Sequence, residues 1–131
     1  MNQISLMDKY PVYALEILKK ETTFQNVDDV IAHLKSKIDS HPVASYIATF
    51  DHYSHTNNLE AGTICSTVLD AKNIICCFGK ELSNPLMLAV RPRAIGVAEM
   101  RDDKFVVSFI DAPNPQAHEA MISWLQSILN K

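Results

Sequence analysis

Two stretches of this chain repeat apolar residues at helical spacing, and they are separated by four stretches that read as strands. That order constrains the fold most. In Val27 to Ser40 the apolar residues Val27, Val30, Ile31, Leu34 and Ile38 fall on one helical face, with His33 and Lys37 off the stripe. Near the C-terminus Met121, Trp124, Leu125 and Ile128 form a second stripe. Before the first helix, Val12 to Ile17 alternates with Tyr13, Leu15 and Ile17 on one side, as a strand does. Between the helices, Val43 to Phe50, Asn73 to Phe78, Ala94 to Met100 and Lys104 to Ile110 read as strands, the last two forming a hairpin about Arg101-Asp102-Asp103. Helices and strands do not alternate, which argues against a doubly wound parallel sheet. The pattern predicts an α+β domain of order β-α-β(4)-α, with a mostly antiparallel sheet and both long helices on one face.

Local signals mark the element ends. Asn26 is placed to cap the first long helix, with Asp28 and Asp29 favourably in its first turn and Pro42 beyond its end. Asn84-Pro85 and Asn114-Pro115 each have the form of a cap followed by a first-turn proline, the former opening a short helix over Leu86 to Ala89 that ends before Pro92. Asp51 to Ala71 is the least regular part, with one short helix expected about Thr67 to Leu69. Val43 to Phe50 is apolar on both faces, which suits a central strand whose second face is covered by another copy of the chain.

At 131 residues the chain is expected to be a single domain, residues 1–131, able to bury a core without metal or disulfide staples. A net charge of −3 with scattered Lys and Arg gives no basic face, so nucleic acid is not expected as a partner. Its three glycines leave no glycine-rich phosphate loop. No apolar run approaches the roughly 20 residues that span a bilayer, so no membrane association is expected. Met1 to Tyr10 lacks the basic-then-apolar form of a signal peptide. Three cysteines, an odd number, point to a reducing cytoplasm. Cys76 and Cys77 are adjacent in a strand and should face opposite ways.

The middle of the chain resembles a bacterial conserved-hypothetical family, domain of unknown function 302. The matching residues are Thr23-Phe24 with Val27, Val30 and Leu34, then Phe50-Asp51-His52, then Phe78-Gly79 with Asn84-Pro85-Leu86-Met87, then Phe105 to Asp111. The resemblance runs from residue 23 to residue 125. The insertion Lys80 to Ser83 and the pair Val97-Ala98 depart from that family's pattern, as a sister family with the same fold would. The resemblance implies a strand-helix-four-strand-helix domain, often a dimer, with no agreed activity.

The residues that could carry chemistry are few. Asp51-His52-Tyr53-Ser54-His55 follows directly on a strand end, where loops on a rigid scaffold build sites. His52 and His55 are three apart and could share a metal in a helical turn, with Asp51 or Cys65 as a third ligand. The alternative is a capped turn with His52 packed beside the strand. Arg91 and Arg93, two apart in an extended segment, could clamp a carboxylate or phosphate, or could form salt bridges to Glu99, Asp111 or the first helix. Cys65 is the one cysteine in polar surroundings; it is read as a half-buried thiol, or as a nucleophile if a histidine lies near. The expected ligand-binding set is Asp51, His52, His55, Arg91 and Arg93. It belongs to a non-enzymatic homodimeric module binding a small anionic or apolar ligand or a protein. The alternative is a small enzyme or metal protein built on the Asp51-His52/His55 cluster. No particular cofactor is indicated.

Overall fold

The computed structural model describes residues 1–131 and contains a six-stranded antiparallel sheet and three helices. The elements are β1 Asn2–Leu6, β2 Tyr10–Leu18, α1 Val27–Ser40, β3 Ala44–Phe50, α2 His52–Asn57, β4 Val68–Phe78, β5 Arg93–Met100, β6 Lys104–Ile110 and α3 Pro115–Gln126. Short 3-10 turns occupy Lys19–Glu21 and Pro85–Ala89. No helix is long and apolar enough to cross a membrane.

The α+β expectation and the four strands between the two long helices hold, with additions. β1 pairs antiparallel with β2 and was invisible as a pattern, because all five of its residues are exposed. The short helix lies at His52–Asn57; Thr67 to Leu69 instead leads into β4, which begins at Val68 opposite Met100 of β5. The sheet order is β1-β2-β6-β5-β4-β3, so Val43 to Phe50 contributes an edge strand and not a central one. Val43, Ala44 and Tyr46 pack against the core, while Ala48 and Phe50 face a largely open sheet surface and not a second layer.

The caps fall where the sequence places them. Asn26 accepts from Asp29 N, Asn84 from Leu86 N, and Asn114 from Gln116 N and Ala117 N. Each satisfies helix-start donors that would otherwise have no partner.

One core forms on one sheet face. Ile17, Ile74, Cys76, Phe78, Ile95, Val97, Phe105, Val107 and Phe109 meet Val27, Val30, Ile31, Leu34 and Ile38 of α1 and Met121, Trp124 and Leu125 of α3. Ladder partners Ile17–Phe105, Val97–Val107 and Ile74–Ile95 show that these strand residues share a face. Burying each large side chain there contributes roughly 1.5–3 kcal/mol. Trp124 stacks on Phe78 with ring centroids 5.5 Å apart and meets His41 edge-on at 5.8 Å.

The opposite face has no helical layer over its centre. A row runs straight across it through Asn2, Ala14, Ser108, Gly96, Asn73 and Phe50, each the ladder partner of the next. Beside that row, on the same face, lie Ile4, Val12 and Ile110 in one half of the sheet and Ala94, Ile75 and Ala48 in the other. Ile4 is 49% exposed and Ile110 46%, far from the near-zero exposure of the core.

Candidate functional site

The Asp51–His55 segment folds as the first turn of α2 because Asp51 caps it. Asp51 Oδ1 accepts from Ser54 N at 3.0 Å, and Oδ2 accepts from the Ser54 hydroxyl at 3.1 Å. Lys72, which bonds Asp28 in the first turn of α1 at 2.5 Å, stands 3.9 Å from Asp51. The Ser54 N–H, then the Ser54 hydroxyl and the Lys72 charge, hold the Asp51 carboxyl below its usual range. Asp51 is therefore a cap and a tether, and its oxygens are engaged within its own loop.

His52 and His55 both pack on the Phe50 ring, each with a centroid separation of 5.3 Å, and their own centroids are 6.4 Å apart. His52 Nδ1 lies 3.2 Å from Thr56 Oγ1. No group of three His, Cys, Asp or Glu side chains gathers to hold a metal. Cys65 is exposed, and the Thr67 hydroxyl at 3.1 Å, not a histidine, draws its pKa down. The half-buried Cys65 of the sequence reading is thus corrected. Its loop stays at the surface, where no apolar layer covers it.

What His52 does reach is the open face. With Asn73, Gly96 and Ser108 it borders a hollow of about 280 Å³, walled by Ala71, Ala98 and Val106. Asn73 Nδ2 and Ser108 Oγ stand 3.6 and 3.7 Å from where a β-carbon on Gly96 would sit. A glycine inside a strand marks a place where something comes close to the backbone. Here the missing side chain opens the hollow, and an imidazole, an amide and a hydroxyl border it. Asn73, Gly96 and Ser108 escaped the sequence reading because they lie on three different strands. Gly96 alone carried a legible signal, as the one glycine in a strand.

The arginines lie elsewhere. Both border a small cavity of about 40 Å³ between the Pro85–Ala89 turn and the start of α3. Neither forms the salt bridges weighed from sequence. Arg93, 8% exposed, projects to the helical face and donates through Nη2 to the carbonyls of Ile110 and Asp111; its Nε has no partner. Burial lowers its pKa. Arg91 donates through Nη1 to the Glu81 carbonyl at 2.6 Å and also borders a larger groove of about 420 Å³. The chain between them contains a cis peptide bond at Arg91-Pro92. The five expected ligand-binding residues therefore divide into a histidine pair with its cap and an arginine pair, and they border no common cavity.

No curated protein matches the chain. The model of a family of unknown function, DUF6858, matches residues 1–130, and the chain belongs to that family.

Proposed function

We propose that this is a non-enzymatic binding module that works as a homodimer, pairing its open sheet faces and holding a small anionic ligand in the hollow over Gly96. The open face with its glycine-floored hollow carries this reading. Six strands about 4.8 Å apart and about seven residues long give roughly 650 Å² of projected area. A stable interface takes about 800 Å² from each partner, so the relief of the side chains and the margin of the sheet must supply the rest. The exposed Ile4 and Ile110 supply apolar contact at its margin. His52, Asn73 and Ser108 offer donors to carboxylate or phosphate oxygens. The free state of all three cysteines supports a cytoplasmic location. The chain order β2, α1, then β3 to β6, then α3 follows the strand-helix-four-strand-helix order that the resemblance implies, and it supports reading the chain as a bacterial sister family of domain of unknown function 302.

Light scattering at micromolar concentration should return a dimer mass, and Ile110→Glu should return a monomer. A wild-type monomer would remove the dimer. Titration with inorganic phosphate and acetate, followed by amide NMR, should shift Asn73, Gly96 and Ser108 in the wild type and not in Gly96→Val. Equal shifts in both would remove the hollow as the seat.

A second reading, a small enzyme or metal protein, is favoured by one observation. Thr56 engages only Nδ1 of His52, and Nε2 has no protein partner. Stoichiometric metal in protein purified without an affinity tag would favour that reading.

A further inference from the structure

The groove beside Arg91 is apolar, roomy and unlike the hollow. It lies at the far end of β4, about 13 Å along the strand from Asn73 at a rise of about 3.3 Å per residue. Its apolar lining is Ile47, Cys77, Leu82, Leu88 and Pro92, and its volume of about 420 Å³ lies within the range of small-molecule sites. Three of these side chains are exposed although large and apolar: Leu88 at 64%, Leu82 at 59% and Ile47 at 54%. Ile47 is the extra residue of a β-bulge between Tyr46 and Ala48, a device that re-aims a side chain.

The charged part of the lining has a sign. Lys80 and Arg91 border the groove with a single carboxylate, Glu81, and neither cation is in an ion pair. Arg91 is nonetheless held in place. Its Nη1 donates to the Glu81 backbone carbonyl, and its guanidinium lies over Gly79, where a β-carbon would come within 3.0 Å of Nη2. Gly79 has φ of +94°, a conformation that excludes most side chains, so the backbone leaves room for that guanidinium. An anchored guanidinium with free donors beside an apolar trough suits a carboxylate joined to a hydrocarbon body.

We propose that this groove binds an amphipathic monocarboxylate of the fatty-acid type, its chain along Ile47, Leu82 and Leu88 and its carboxylate on Arg91. The groove is separate from the hollow over Gly96 but opens on the same sheet face, since Cys77 alternates with Ile75 and Asn73 along β4, so its test is made in the Ile110→Glu background, in which that face is left unpaired.

Cys77 provides the readout, because its thiol borders the groove. In a Cys65→Ser background it is the remaining accessible thiol. Cys76 is in the core, its pKa raised to about 11 by burial. Decanoate, kept below its micelle-forming range, should slow labelling of Cys77, and titration calorimetry should show saturable binding. Decanol should bind roughly tenfold more weakly, as should decanoate to Arg91→Gln, each lacking one charge-assisted pair. Leu88→Asp, on an exposed turn where folding is not at stake, should abolish protection. Unchanged labelling with decanoate would overturn the proposal, and so would equal affinity for decanol. Labelling that slows with protein concentration alone would also overturn it, since a second copy of the chain would then cover the groove.

Discussion

His33 shows how one residue couples the two long helices. Its imidazole stands on α1 with Nε2 2.7 Å from the hydroxyl of Ser127, just past α3, and its ring packs against Phe24. Burial first, and the Lys37 charge second, lower its pKa from the ordinary 6.5. The unfolded chain therefore takes up the proton at higher pH than the folded one. Stability is intact above pH 6.5 and falls as pH drops from there through the folded-state value. Urea denaturation at about pH 7.5 and about pH 5.5 should show this loss, with a smaller loss in His33→Gln. Equal losses in the two proteins would assign the pH dependence to other groups. The residue scale also divides what a sequence can show. Asn26, Asn84 and Asn114 were legible as caps because a cap acts on amides two or three residues away. The neighbours of His52 were not legible, because Asn73, Gly96 and Ser108 reach it only through the ladders of three strands.

At the scale of elements, α3 is held by what it buries. Met121, Trp124 and Leu125 face the sheet, and the Trp124 indole stacks on Phe78 while His41, which caps the C-terminus of α1, meets it edge-on. Trp124→Ala should lower stability by about 3–5 kcal/mol, through lost burial and the cavity left behind. Chemical denaturation reads this directly, and a change below about 1 kcal/mol would place the indole outside the core. Both long helices were legible because their apolar stripes repeat within one segment. The position of β3 was not. A run apolar on both faces reads the same for a strand between two neighbours as for an edge strand on an open face. α2 was missed for another reason: it is held by a cap at Asp51 and the Lys72 tether, not by an apolar stripe, and none of its residues is buried.

For the whole molecule, the single core predicts single-step unfolding. Trp124, the only tryptophan, reports the helix-to-sheet packing, and far-UV circular dichroism reports the backbone. The two denaturation curves should coincide, as they do for small domains with one core. Separate midpoints would show that part of the sheet opens without the core.

The sequence by itself determined the α+β class, the four strands between the long helices, both of those helices and their caps, because periodicity and capping act within a few residues of chain. Only the tertiary structure decided the rest. Strand order put Val43 to Phe50 at an edge, and pairing with β2 made a strand of the fully exposed β1. Cross-strand register set His52 beside Asn73, Gly96 and Ser108. The two arginines, two apart in sequence, took different roles because β5 begins at the second: Arg93 enters the ladder and turns to the helical face, while Arg91 stays in the loop over Gly79. Which residues meet across a sheet depends on pairing between distant segments, and no local pattern encodes it.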